Sequence, residues 1–134
     1  MVKNKRFVRR FINHLFGTYN VPRIPIYIHY KNKAICDPAG NFCFATYVYE
    51  DGKNGCIHAA ADVGTTTLMV IIAHEFVHYV QRRKGRDMKD TESIERDAEY
   101  WSNALVWQWN INKKDKKMRC DGFANIWDEK PKDE

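Results

Sequence analysis

Apolar residues recur at helical spacing in three stretches of this chain and alternate with polar ones in one other. Val8, Phe11, Ile12, Leu15 and Phe16 fall on one face of a helix over residues 3–16, with Gly17 placed to end it. His14 borders that stripe and reads as a boundary residue. Pro22 and Pro25 mark a loop. Ile24, Ile26, Ile28 and Tyr30 then alternate with Tyr27 and His29, the pattern of a half-buried strand whose His29 faces away from the isoleucines. Asp37-Pro38-Ala39-Gly40-Asn41 reads as a turn. Residues 42–49, rich in aromatic and β-branched types, predict a strand, residues 50–55 a hairpin loop with two glycines, and residues 56–61 the return strand.

Two helices follow. The unbroken apolar run from Leu68 to Ala73 lies inside a helix predicted over residues 65–84, which Gly85 stops. Ile94, Ala98, Trp101 and Leu105 then repeat at helical spacing, with Trp107, Trp109 and Ile111 making this second helix strongly apolar. Asp90 or Thr91 can cap its start, with Glu92 near the positive end of the dipole. The segment 120–127 reads as irregular, with Gly122 to Trp127 packing back on the body, and the charged residues 128–134 as a frayed tail. The expectation is an α+β fold in one domain over residues 1–134. It has an N-terminal helix, a short, mainly antiparallel sheet and two long helices.

The chemistry sits on the first of those long helices. His74-Glu75-Phe76-Val77-His78 is an H-E-x-x-H string. Residues four apart on a helix lie one turn above each other, so His74 and His78 can offer two imidazole nitrogens to one metal ion. Glu75, beside the first of them, can reach a water held by that metal. Zinc in a catalytic site takes a third protein ligand and leaves one position open. Residues 93–101 supply candidates. Glu95 neighbours Ile94 and Ala98 on the wheel and so is expected to point toward the core, where a carboxylate is costly unless paired or bound to metal.

His74-Glu75-Phe76-Val77-His78 followed by Glu95-Arg96-Asp97-Ala98 resembles the H-E-x-x-H and E-x-x-A elements of the gluzincin zinc metallopeptidases, in particular the small single-domain ImmA/IrrE type. The similarity runs from about Ile57 to Trp109. It implies a zincin-like fold with one zinc per chain, held by His74, His78 and Glu95, with Glu75 as general base. It also implies hydrolysis of peptide bonds in a protein or peptide substrate, and a sheet strand just before the metal helix that walls the cleft. Glu99, four residues after Glu95, stands where members of the group often carry an acidic partner for a ligand histidine; a solvated helix charge is the alternative. The oxyanion donor stays open among Tyr100, Tyr79, His58 and Tyr47. Asp97 reads as a surface charge.

Composition narrows the setting. With 44% hydrophobic residues in 134, the chain can bury a real core. Arg9 and Arg10 interrupt any signal-type apolar run, and no stretch is long enough to span a bilayer, so a cytoplasmic protein is expected. Cys36, Cys43, Cys56 and Cys120 form no C-x-x-C pair and read as free thiols. The competing reading sets Cys36, Cys43, Cys56 and His58 on a structural metal. The net charge of +5 comes from the N-terminal third and from Lys113, Lys114, Lys116, Lys117 and Arg119. Such patches predict solvated faces with weak, salt-dependent nucleic-acid binding. The second functional class is therefore a zinc-stabilised, non-catalytic regulatory module with a basic surface for DNA or a protein partner.

Overall fold

The N-terminal helix buries one stripe and leaves its charges outside. In the computed structural model, which describes residues 5–29, 35–49, 54–61 and 63–114, α1 spans Lys5–Tyr19. Val8, Phe11, Ile12, Leu15 and Phe16 are buried, while Arg6, Arg9 and Arg10 are exposed. The helix passes through Gly17, contrary to the predicted stop. Asn20 ends it instead, in the left-handed region at φ 50°. Asparagine tolerates that conformation better than most residues.

The strands make a mixed sheet. β1 is Ile26–His29, β2 Ile35–Cys36, β3 Phe42–Cys43, β4 Ala45–Val48 and β5 Cys56–Ala60. Three of them form a sheet in the order β1-β5-β4, while β2 and β3 pair separately. β5 runs antiparallel to β4, as the hairpin requires, and parallel to β1, with Tyr27 opposite His58 and His29 opposite Ala60. The expected mainly antiparallel sheet is thus corrected to a mixed one. β1 and β5 are joined by a connection long enough to cross over, which parallel pairing needs. The single strand expected over 42–49 also divides at Phe44: its first part pairs with β2 and its second with β5.

Gly55 matters for the hairpin. Its φ is 91°, and a Cβ there would lie 2.5 Å from the Val48 carbonyl oxygen and 2.8 Å from the Tyr47 ring. Only glycine gives both the dihedral and the close approach. The Tyr47 hydroxyl then donates to the Asn54 carbonyl at 2.6 Å, holding the end of β4.

α2 spans Thr65–Arg83 and α3 spans Thr91–Lys114. α2 is the centre of the molecule: Leu68, Met69, Ile72, Ala73, Phe76, Val77 and Val80 are buried among α1, β5 and α3. It ends in a Schellman turn, with Gly85 N–H donating to Arg82 and Arg86 N–H to Gln81. Gly85 has φ 78°, as the sequence predicts for a stop. The Arg86 side chain then bonds Asp97 at 2.7 Å and Ser93 at 2.7 Å, tying the α2–α3 turn to the first turns of α3. Asp97 is therefore a half-buried tie between helices rather than a loose surface charge. Asp90 supplies the first helical carbonyl of α3 and accepts from Ser93 N–H at a long 3.5 Å. No described helix is long and apolar enough to cross a membrane. The expectations for Cys120, the Gly122 to Trp127 segment, the 128–134 tail and the side chains of the second basic run lie outside the described residues.

Candidate metal centre

His74 and His78 occupy adjacent turns of α2, and Glu95 stands across from them in the first turns of α3. The cleft between the two helices brings the three together. His74 Nε2 is 3.0 Å from Glu95 Oε2, His78 Nε2 is 2.9 Å from Glu95 Oε1, and the two Nε2 atoms are 3.1 Å apart. Among the described residues this is the one group of three that gathers metal-ligand atoms within 4.8 Å of one another.

The hydrogen bonds behind the triangle decide what it can hold. Gln81, buried at the same end of α2, donates its amide to the Ile94 carbonyl at 3.2 Å. That turns its Oε1 toward His78 Nδ1 at 2.9 Å. Nδ1 must then carry the proton, and in the neutral ring Nε2 is left as a bare lone pair. Burial pushes the His78 pKa down, despite help from Gln81 and Glu95, so the neutral ring is favoured. A lone pair facing a carboxylate oxygen at 2.9 Å and a second imidazole nitrogen at 3.1 Å needs a proton or a metal cation between them, and one metal ion satisfies all three groups at once. Atoms roughly 2.0–2.1 Å from a tetrahedral zinc sit roughly 3.3 Å apart, close to the observed triangle. Two imidazoles and one carboxylate are a donor set that zinc accepts. The residues fit the ion.

Glu95 reaches this triangle in a way the wheel did not foresee. It is not core-facing: its side chain is 60% exposed, open to solvent along the cleft. Glu95 is therefore marked by its distances to the two imidazoles and not by the cost of a buried carboxylate. Glu99 is also exposed and contacts neither imidazole among the described residues. The outer partner at His78 is Gln81, which sequence reasoning passed over. The available signal was a polar residue one turn after His78, on the face that carries both histidines.

Glu75 is buried, 9% exposed, and lines the same cleft. Its pKa is pushed up to about 8, first by burial and then by the Glu95 charge, against one stabilising hydrogen bond from the Tyr47 backbone N–H. That bond comes from β4, the outer strand of the sheet. The cleft measures about 310 Å³, with Ala45, Thr46 and Tyr47 of β4 along one wall and Glu75, His78 and Glu95 along the other. Cys43 also borders it, its thiol pushed up chiefly by burial and so held protonated.

The four oxyanion candidates separate. Tyr100 is 64% exposed and packs edge-on to Trp101. The Tyr79 hydroxyl donates to the Pro22 carbonyl, and His58 lines a different cavity with His29. Tyr47 alone of the four borders the cleft, and its hydroxyl is engaged with Asn54. None is assigned the role.

Cys36, Cys43 and Cys56 form no disulfide, and with His58 they gather into no metal-sized group among the described residues. Cys56 Sγ lies 3.6 Å from His58 Nε2, and His58 Nδ1 lies 2.9 Å from His29 Nε2. His29 and Tyr27 both flank His58 on the sheet face away from Ile26 and Ile28, as the alternation in β1 predicts. Compared with protein-family models, curated proteins and solved structures, the chain has no significant match.

Proposed function

We propose that this chain is a zinc-dependent metallopeptidase of the gluzincin kind, with a zincin-like arrangement of sheet and helices, acting on peptide or protein substrates in the cytoplasm. The observation that carries this reading is the convergence of His74, His78 and Glu95 on one point, with the His78 tautomer set by Gln81 and with Glu75 in the same cleft. A structural zinc has no use for a buried carboxylate beside its open side; a hydrolytic one does.

His74, His78 and Glu95 hold the zinc. When bound, it supplies Lewis-acid chemistry, polarising a carbonyl and lowering the pKa of a water. Glu75 takes the proton of the attacking water and delivers it to the leaving amine. Its burial raises its affinity for a proton, and the Tyr47 backbone N–H holds the carboxylate in the cleft. Gln81 keeps His78 in the ligating tautomer. β4 is the strand that borders the cleft, because both sides of β5 are occupied by β1 and β4. An extended peptide laid along the cleft can therefore use the main chain of β4.

The test is metal content of protein purified without added zinc, together with a peptide-cleavage screen of wild type and Glu75→Gln. One zinc per chain and cleavage lost only in the variant are expected. Zinc present with no cleavage in either protein would leave a zinc-stabilised, non-catalytic module.

A further inference from the structure

Beyond the candidate centre, α2 carries two arginines that have no carboxylate partner among the described residues. Arg82 follows His78 by four residues and Glu75 by seven, so it shares their helix face, about 6 Å beyond His78 and about 10 Å beyond Glu75 along the axis. Its guanidinium carbon lies 3.0 Å from the centroid of the Tyr49 ring. The ring holds the cation through its quadrupole and takes up no hydrogen bond, so the N–H donors of Arg82 have no hydrogen-bond acceptor among the described residues. Arg83 donates one N–H to Asn54 Oδ1 at 3.0 Å and another to the Tyr79 hydroxyl, which leaves part of its fork available. Arg86, one turn on, contrasts with both: Asp97 and Ser93 already use its fork.

Arg82 and Arg83 line a cavity of about 500 Å³ together with Tyr47, Tyr49, Asn54 and Tyr79. Tyr47 and Met88 border this cavity and the candidate catalytic cleft alike. The two spaces therefore adjoin, one holding the candidate metal ligands and the other three guanidinium groups, of which Arg86 is already engaged by Asp97 and Ser93.

We propose that this cavity is a specificity subsite for an acidic side chain, Asp or Glu, of the substrate peptide. The placement rests on the metallopeptidase reading; the binding of a carboxylate does not. The 6–10 Å of helix rise from His78 and Glu75 to Arg82 corresponds to about two or three residues of extended chain at about 3.3 Å each. The preferred acid therefore stands two or three positions from the bond that is cut. A peptide carboxylate fits better than a nucleic-acid backbone. Phosphate-chain binding builds up over many separate contacts, whereas this pocket offers only Arg82, Arg83 and the engaged Arg86, and Arg6, Arg9 and Arg10 of α1 line no part of it.

The test uses fluorescent peptides about nine residues long, identical except for Glu, Gln or Lys at one position that is moved along the chain. Binding is read by anisotropy on zinc-loaded Glu75→Gln protein, and cleavage on wild type. The Glu peptide should bind about tenfold or more tightly than its Gln twin, the scale of a charge-assisted hydrogen-bond pair. In the Glu75→Gln background, Arg82→Gln should erase that difference, Arg82→Lys should keep part of it, and Arg82→Glu should turn the preference toward Lys. Circular-dichroism melting and zinc content show that each variant is folded. Cleavage without regard to the Glu, Gln or Lys position would overturn the subsite and leave the peptidase standing. Arg82-dependent binding of acidic peptides with no cleavage would keep the carboxylate site and remove the peptidase. A single-stranded oligonucleotide that outcompetes the acidic peptide at about 0.15 M salt would overturn the proposal in favour of a phosphate chain.

Discussion

Two pairs of imidazoles touch within the described residues, and they rest on different backbones. His74 and His78 are four residues apart on α2, with rings edge-on at 78° and both Nε2 atoms directed to the same point. His29 and His58 sit on the neighbouring parallel strands β1 and β5, with rings stacked at 21° and centroids 5.2 Å apart. Each nitrogen of His58 has a different neighbour: Nδ1 meets His29 and Nε2 meets Cys56. Its donors run in a line instead of converging. Both pairs bring two histidines together, but only the helical one also receives a carboxylate from another element and a buried amide that sets a tautomer. Proximity of imidazoles does not make a metal site; convergence of lone pairs does.

The two pairs are expected to differ most in metal content. His78→Ala is expected to abolish zinc binding and lower the melting temperature, because ligand binding free energy adds to folding. His29→Ala should keep the full complement of zinc. Elemental analysis of both purified variants decides it, and zinc retained in His78→Ala would remove the centre altogether.

Next in size is the base. Glu75→Gln should lose a factor of about 10²–10⁴ in peptide-cleavage rate while keeping zinc and fold. Single-turnover cleavage of any substrate found for wild type measures it. A retained rate would show that Glu75 is not the base.

A smaller effect tests the amide. Gln81→Leu frees His78 to adopt either tautomer, and zinc affinity should fall about 10–100-fold, the usual cost of losing an outer partner. Chelator competition against wild type reads the change. An unchanged affinity would show that Gln81 is only packing.

The smallest effect belongs to the second pair. The His58 pKa lies below the ordinary imidazole value, first through burial and then through the His29 charge. The folded protein thus takes up the His58 proton less readily than the unfolded chain does. His58 therefore costs no stability above the ordinary imidazole range, and stability falls as pH drops below it. NMR titration should find His58 titrating low, and His29→Asn should move it partway back up. A His58 that titrates at the ordinary value in wild type would show that the stacked pair is not formed.

Much of this was legible in one dimension, because helical periodicity and local chemistry need no tertiary information. The apolar stripe of α1, the H-E-x-x-H spacing on α2 and the Gly85 stop all follow from residue spacing and backbone preference. So does the amphipathic start of α3. The sequence by itself determined that two imidazoles would stand one turn apart with Glu75 next to the first.

What only the tertiary structure decided lies where distant segments meet. A parallel β1–β5 pairing depends on a crossover that no local pattern encodes, and the break at Phe44 depends on which neighbour each half of the run finds. Glu95 looked core-facing because a helical wheel knows one neighbour at most; the cleft between α2 and α3 leaves it exposed and still within 3.0 Å of both imidazoles. Gln81 acquired its role only when the Ile94 carbonyl on another helix fixed its amide. Spacing along a chain sets which groups can share a face, but the direction of a lone pair is set by what packs against it.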